Sequence, residues 1–307
     1  MGLAENIKLR RLQLGLSQQE LADKLGYKNR STITKIEAGE NSVPDNKLVR
    51  FARALDTSVE FLKTGQESRV SYVLPKMKPG KHNIAIVLAG GKSTRNQQNI
   101  PNQFINVLGK PVIIYVLEAY QRHPAIDDIY VVCLKGWDDI LSAYAKQYGI
   151  DKLRGIIPGG ETGIESVKNG IEAFECDDDD TIILQESTRP LVNEEMISKL
   201  LHACKGAVAV CESTEDTIMF LKKEKMEYVD RNRLFALQSP EAYRYGILKS
   251  IFEKAEQLHH PLEETCCSHL MYNLGYELNF VEGNHNNIKI VRQEDIAILS
   301  ALLKNRI

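Results

Sequence analysis

The rhythm of hydrophobic positions changes near residue 83. Before it, apolar residues recur three and four apart in short bursts, broken by glycine, proline and polar turns. After it, unbroken apolar runs alternate with longer amphipathic stretches. The first rhythm predicts a packed set of short helices over residues 2–65. Ser17-Gln-Gln-Glu20 reads as a capping box that opens one helix, with Leu21, Ala22 and Leu25 inward and Gly26 as its stop. A second short helix runs from about Ser31 to Ala38, with Ile33 and Ile36 inward. Pro44 and Asp45 open a further helix with Leu48, Phe51, Ala52 and Leu55 inward, and Ser58 caps a last one. Residues 64–82 hold two prolines and two glycines and no sustained period, so they read as a linker.

The second rhythm predicts strands at 84–88, 128–134, 154–158, 181–186 and 206–210, and helices at 112–122, 137–148, 163–174 and 193–204. Such alternation is that of a parallel α/β sheet. The order then breaks. Residues 215–240 read as a long hairpin-like arm with a charged tip. Helices at 242–257 and 265–274, strands at 277–281 and 287–291 and a closing helix at 293–305 follow. The chain thus divides into a helical head (1–66), a linker (67–82) and an α/β body (83–307).

Composition adds little to this picture. At 307 residues two domains are expected, and 43% hydrophobic with 26% charged residues is ordinary for a globular chain. Charge is uneven: residues 1–65 carry a net +3 and the remainder −5. The N-terminus has no apolar signal core, and no apolar run approaches the ~18 residues of a membrane span. Six cysteines without a CxxC pair read as reduced thiols, and the expectation is a cytoplasmic protein without membrane contact. Asp177-Asp-Asp-Asp180 has the look of a metal cluster, but its place between a helix and a strand reads as a solvated loop.

Candidate chemistry gathers where an open α/β sheet binds ligands, at the carboxyl ends of its strands. The run Leu88-Ala-Gly-Gly-Lys-Ser-Thr-Arg95 follows the first strand, and a glycine pair with basic residues presents backbone N–H groups and cations to phosphates. Gly159-Gly160 follows the third strand, Glu186 and Arg189 end the fourth, and Lys289 is placed on the last. Together they describe a crevice with phosphate-binding cations and at least one carboxylate for a metal.

The string GLSQQELADKLGYKNRSTITKIEAGENSVP resembles the phage-repressor and Cro type of helix-turn-helix. The resemblance implies that residues 31–37 are a recognition helix in the DNA major groove. Arg30, Ser31, Thr32, Thr34 and Lys35 would then face DNA, with Gln18 and Gln19 on phosphate or a base edge. The alternative is a helical bundle used for protein contacts. A net charge of only +3 suggests a dimer on a paired site.

In the body, LAGGKSTRNQQNIPNQF, GGETGIESVKNG, QESTRPLV, DTI, VDRNRLFALQSPEAY and VEGNHNNIKI occur in one order. They are similar to the bacterial cytidylyltransferases that act on methylerythritol 4-phosphate or ribitol 5-phosphate. The LAGG opening, with an extra residue before its arginine, is more like the ribitol-phosphate type. The resemblance implies a Rossmann-like nucleotidyltransferase domain with a mixed, mostly parallel sheet and a protruding β-arm. It implies transfer of CMP from CTP to a polyol phosphate, with release of pyrophosphate and with Mg²⁺ as cofactor. By the same resemblance Leu88, Ala89, Gly90, Gly91 and Arg95 belong to the triphosphate loop, and Gly159, Gly160 and Ser166 hold the cytidine. Glu186 is the metal-binding acid. Thr217, Arg231 and Ser239 address the polyol phosphate, and Lys289 stabilises charge at the α-phosphate. The arm at 215–240 would pair two subunits in a homodimer.

Several positions depart from that pattern. Asn102 stands for a lysine, Gln185-Glu186 for a His-Asp pair, Gly163 for an arginine, Cys266 for an aspartate and Val291 for a threonine. Lys92 stands where the loop usually has glycine, and either reaches the phosphates in place of the absent lysine or points into solvent. Two readings follow. The body is a working cytidylyltransferase fused to a DNA-binding head, or it is a regulator that binds a nucleotide or CDP-polyol without turning it over. A third gives it a different substrate, in a pocket reshaped by Gly163 and Cys266.

Overall fold

The computed structural model describes residues 2–27, 29–55, 57, 59–65, 81–92, 100–203, 207–212, 218–222, 225–230 and 235–305. In the head, five helices surround one apolar core: α1 (Leu3–Gln13), α2 (Gln18–Lys24), α3 (Ser31–Glu37), α4 (Asp45–Ala54) and α5 (Val59–Thr64). Ile7, Leu21, Ala22, Ile33, Leu48, Phe51, Leu55 and Leu62 fill the core, as their spacing requires. The capping box forms: Glu20 N–H donates to Ser17 Oγ (3.1 Å), and Ser17 N–H donates to Glu20 Oε2 (2.7 Å). Gly26 follows α2 at φ +72°, a left-handed conformation that glycine adopts without strain. Ser58 lies outside the described residues.

A buried ion pair joins α1 to α3. Arg11 donates through Nε to Glu37 Oε1 (2.6 Å) and through Nη2 to Oε2 (2.9 Å), while its Nη1 donates to Leu16 O (2.7 Å). Gln18 Nε2 adds a third donor to Glu37, at 2.9 Å. Burial alone raises the Glu37 carboxyl; the bonds from Arg11 and Gln18 outweigh it and hold the group below its usual range.

Among the described residues the body is a seven-stranded sheet between two helical layers, with strands in the order Asn279–Glu282, Ala207–Glu212, Phe235–Arg244, Thr181–Glu186, Asn83–Ala89, Asp128–Cys133 and Leu153–Pro158. Strands β1 (Asn83–Ala89), β4 (Asp128–Cys133), β5 (Leu153–Pro158) and β6 (Thr181–Glu186) run parallel. Strand β10 (Phe235–Arg244) lies antiparallel between β6 and β7 (Ala207–Glu212), and β11 (Asn279–Glu282) closes that edge parallel to β7. One sheet face packs on α6 (Val112–Arg122), α7 (Asp138–Gln147) and α9 (Glu194–Ala203), through residues such as Ile114, Leu117, Leu141 and Ile197. The other packs on α8 (Gly163–Glu172), α10 (Tyr245–Gln257) and α11 (Cys267–Asn273), through Val167, Ile171, Ile251 and Leu270. Runs that are apolar at every position, such as Ile84 to Val87, suit strands covered on both faces.

The arm is shorter than the sequence suggests. Strands β8 (Ile218–Lys222) and β9 (Lys225–Val229) pair antiparallel as a hairpin, but residues 235–244 are a sheet strand. Residues 242–244, read above as helical, continue that strand, because Ala242 and Tyr243 pair with Ile183 and Ile182. Residues 287–291, read above as a strand, carry no ladder. Their apolar alternation arises because Ile290 is buried in a small cluster with Val107, Val112, Leu191 and Leu299, the last on α12 (Gln293–Lys304). A two-rung hairpin, β2 (Asn106–Val107) with β3 (Lys110–Pro111), was not legible in the sequence. Asp180 is buried rather than solvated: Oδ1 accepts from His82 N–H (2.7 Å) and Oδ2 from Asp177 N–H (2.9 Å). It fixes the turn into β6.

The head's ion pair gives the first expected outcome. Replacing Glu37 by alanine strands a buried guanidinium and destabilises the head by about 3 kcal/mol. Because the folded pKa of Glu37 lies below its unfolded value of ~4.3, its stabilisation is complete above that pH and disappears as pH falls through the folded pKa. Urea titrations followed by amide exchange at Ile33 and Ile36 check both; in Glu37→Gln the loss between pH 5 and lower values is diminished.

Candidate functional site

The chain leaves β1 towards β4 and β5 on one side and later returns with β6 on the other. At such a reversal a crevice is expected at the carboxyl ends of the strands, here β1 and β6. Leu88 pairs with Glu186 across these two strands, and Ser187 N–H donates to Leu88 O (3.0 Å). Gly90 and Gly91 follow directly, with Lys92 exposed beside them. Ala89 is buried and contributes backbone only. Arg95, Thr217 and Arg231 lie outside the described residues.

The glycine loops after β1 and β5 meet. A Cβ on Gly90 would lie 3.4 Å from Ser166 Oγ and 3.5 Å from the Gly159 Cα. Gly159 N–H donates to Cys133 O (2.9 Å), and Gly160 N–H donates to Ser166 Oγ (3.0 Å). Ser166 Oγ in turn donates to Thr162 O (3.0 Å), so its hydroxyl shapes the loop from a buried position. Thr162 and Glu165 form a capping box at the start of α8. The N-terminal end of this ten-residue helix borders the crevice, where its dipole favours an anion.

Glu186 is the electrostatic centre. Its Oε1 is paired with Lys289 Nζ. Its Oε2 accepts from Arg189 Nε (2.8 Å) and lies 3.5 Å from Ser239 Oγ. Its backbone N–H donates to Ser239 Oγ (3.1 Å). Burial pushes the Glu186 carboxyl up, but Lys289 first and Arg189 second outweigh that and hold it ionised below its usual range. The structure thus brings Glu186, Arg189, Ser239 and Lys289 together beside Leu88, although Lys289 sits on an irregular segment and not on a strand. Gln185, where the resemblance has histidine, is wholly buried: Tyr120 OH donates to its Oε1 (2.9 Å), and its Nε2 donates to Glu186 O (2.8 Å).

Mg²⁺ is tested by the donor set. Among the described residues no group of three His, Cys, Asp or Glu side chains is placed to hold a metal. One ionised carboxylate, Glu186, faces the crevice, and Mg²⁺ is commonly held by one or two carboxylates plus substrate phosphates. The residues therefore fit a metal that arrives with a triphosphate.

Sequence reasoning missed how the altered positions are used. Asn102 and Gln103 are buried, and their side-chain amides bond to backbone carbonyls on both sides of the crevice. Asn287, fully buried, donates to Ser239 O (2.8 Å). Gly163 opens α8 with Thr265 O 3.8 Å from where its Cβ would be. Cys266 precedes α11, and its Sγ lies 3.2 Å from Ser268 Oγ. Burial, then the nearby Glu241, pushes the Cys266 thiol up, so it brings no charge to the place where the resemblance has aspartate.

In the head, Arg30, Ser31, Thr34 and Lys35 are exposed on and just before α3, and Thr32 is half-buried. Gln18 and Gln19 are engaged within the head: Thr34 Oγ1 donates to Gln18 Oε1 (2.9 Å), and Gln19 Nε2 donates to Asp23 Oδ1 (2.7 Å). Gln18 therefore acts first as a brace between α2 and α3. No helix among the described residues is long and apolar enough to cross a membrane.

Gly160 supplies the expected outcome for this site. A Cβ there would meet Glu165 Cβ at 2.5 Å and the Glu165 carbonyl carbon at 2.9 Å. Gly160→Ala must displace the start of α8, costing about 1–3 kcal/mol and weakening CTP binding. Thermal unfolding and calorimetric titration with CTP check this; unchanged affinity would remove Gly160 from the nucleotide loop.

Comparison with known proteins agrees with this geometry. The profile of the 2-C-methyl-D-erythritol 4-phosphate cytidylyltransferases matches residues 83–305, and a helix-turn-helix profile matches residues 7–62. Ribitol-5-phosphate cytidylyltransferases from Lacticaseibacillus paracasei and Vibrio parahaemolyticus are each 34% identical over 229 residues. Those alignments cover 72% of this chain and 98% and 95% of the relatives. A 2-C-methyl-D-erythritol 4-phosphate cytidylyltransferase from Clostridium novyi is 32% identical, over 73% of this chain and 97% of its own length. Among solved structures, 4-diphosphocytidyl-2C-methyl-D-erythritol synthase from Anaerococcus prevotii superposes with a TM-score of 0.63 at 25% identity, over 73% of this chain and 96% of that one. The body of this chain belongs to the 2-C-methyl-D-erythritol 4-phosphate cytidylyltransferase family of nucleotidyltransferases, and a helix-turn-helix head is fused to its N-terminal side.

Proposed function

We propose that the body transfers CMP from CTP to a polyol phosphate, with ribitol 5-phosphate favoured over methylerythritol 4-phosphate. The observation that carries this reading is the Glu186–Lys289–Arg189 cluster at the end of β6, facing the glycine loop after β1. The relatives named for ribitol 5-phosphate support the choice of acceptor.

In this reaction a phosphate oxygen of the polyol phosphate attacks the α-phosphorus of CTP. The bond from that phosphorus to the bridging oxygen of the β-phosphate breaks, and pyrophosphate leaves. All reactants are anions, so the protein's task is alignment and charge stabilisation. Backbone N–H groups at Gly90 and Gly91, with Arg95, receive the triphosphate. Gly159, Gly160 and the α8 N-terminus receive the nucleoside end. Lys289 stabilises charge that develops at the α-phosphate, and Arg189 keeps Glu186 ionised. Glu186 would hold a Mg²⁺ that arrives with the triphosphate, and the ion would supply further neutralisation of phosphate charge. Thr217, Arg231 and Ser239 address the acceptor phosphate, and the β8–β9 hairpin pairs two subunits.

The head is proposed to bind DNA as part of a dimer through α3. A second reading, a regulator that binds nucleotide or CDP-polyol without turnover, is favoured by one observation: Asn102 is 4% exposed and brings no cation to the phosphates.

A pyrophosphate-release assay with CTP, Mg²⁺ and each polyol phosphate separates the two. The transfer reading expects release with ribitol 5-phosphate and a roughly hundredfold lower kcat in Lys289→Ala. Tight CTP binding without release from either acceptor would favour the regulator. For the head, a gel shift with paired half-sites about 34 Å apart is expected to weaken on Lys35→Ala; binding to no upstream operator would argue for protein contacts instead.

A further inference from the structure

Lys289 needs a fixed position, and no strand ladder supplies one. Its segment is tied from several sides. Ile290 N–H donates to Thr188 O (2.8 Å), and Val291 N–H donates to Asp295 Oδ2 (2.8 Å). Asn287 Nδ2 holds the near end to Ser239 O (2.8 Å). A further tie comes from the chain that follows the phosphate loop. Asn102 Nδ2 donates to Ile290 O (3.1 Å) and to Val291 O (3.2 Å). The next residue faces the other way: Gln103 Nε2 donates to Ala89 O (2.8 Å) and to Gly91 O (3.0 Å).

We propose that Asn102 is a positioning residue for Lys289, and not a ligand of the nucleotide. Two consecutive buried amides then set the spacing of the two halves of the phosphate site. Gln103 holds the glycine loop, and Asn102 holds the segment that carries the lysine. Both residues lie in one 3-10 turn, Asn102–Phe104, and Phe104 is anchored by stacking on Trp137 with ring centroids 4.5 Å apart. Asn102 is 4% exposed, so it offers a phosphate almost no surface. A side-chain amide has two N–H donors, and here that group faces two carbonyls. The substitution that looks like a lost cation is thus a strut. An ammonium on a flexible four-carbon stem is useful in catalysis only if its base is fixed, since a displacement of ~1 Å can cost about a hundredfold in rate.

This inference rests on the transfer reading for its kinetic consequence, but not for its structural one. The test compares full-length wild type with Asn102→Ala, Asn102→Ser and Asn102→Lys in steady-state kinetics with CTP and ribitol 5-phosphate, together with amide exchange. In Asn102→Ala, kcat is expected to fall about ten- to a hundredfold while the KM for CTP stays within about twofold. Exchange at Ile290 and Val291 is expected to quicken, and that at Leu88 and Ala89 to stay unchanged. Asn102→Ser, which keeps a shorter donor, gives an intermediate kcat and serves alone if the alanine variant does not fold. Asn102→Lys is expected not to raise kcat. A higher CTP KM at unchanged kcat, or faster turnover in Asn102→Lys, would overturn the proposal in favour of a direct phosphate role. If wild type releases no pyrophosphate, the transfer reading fails and the exchange arm still decides: unchanged exchange at 290 and 291 in the alanine and serine variants rejects the strut.

Discussion

A half-buried carboxylate at the end of β6 organises the body. Burial raises the Glu186 carboxyl, and Lys289 first and Arg189 second outweigh that and hold it below its usual range. Each partner brings a distant stretch of chain with it. Arg189 Nη1 donates to Asn287 O (2.7 Å), and Lys289 belongs to the same irregular segment. Ser239 joins from β10 by accepting the Glu186 N–H. Residues 53 and 103 positions further along the chain thus meet around one charge.

The sheet makes this convergence possible. Parallel strands put β1 and β6 side by side with their carboxyl ends level, so the glycine loop and the acidic residue face one crevice. The α8 N-terminus adds backbone N–H groups, and Asn102 and Gln103 set the distance between the two sides. The head follows a related logic at smaller scale. Its Arg11–Glu37 pair, braced by Gln18, fixes α1, α2 and α3 relative to one another. The head's pair is buried and the body's cluster is partly exposed, and each matters for the geometry it imposes more than for its net contribution to stability.

Periodicity made the elements that bury one regular face legible. The head's helices and the strands at 84–88 and 181–186 fall within a residue or two of expectation, because hydrophobic pattern alone decides them. The errors fell where other forces decide. Residues 242–244 continue a strand because β6 and β7 offer ladders on both sides, which no local pattern announces. Residues 287–291 alternate like a strand, yet are fixed by two asparagines and a contact with Thr188 O. The glycine loops, Glu186, Arg189 and Lys289 were readable as a crevice because strand ends collect ligands. The work of Asn102 and Gln185 was not, since a side-chain amide in a string does not reveal which carbonyl or hydroxyl it will meet.

The proposed transfer places the α-phosphate of CTP beside Lys289, within the Glu186–Lys289–Arg189 cluster. Lysine acylation read by mass spectrometry, with and without saturating CTP and Mg²⁺, tests it most directly. The geometry requires that nucleotide strongly protect Lys289 while exposed surface lysines such as Lys146 label at the same rate. Equal labelling of Lys289 with and without bound CTP would place the nucleotide away from this cluster and contradict the proposed site.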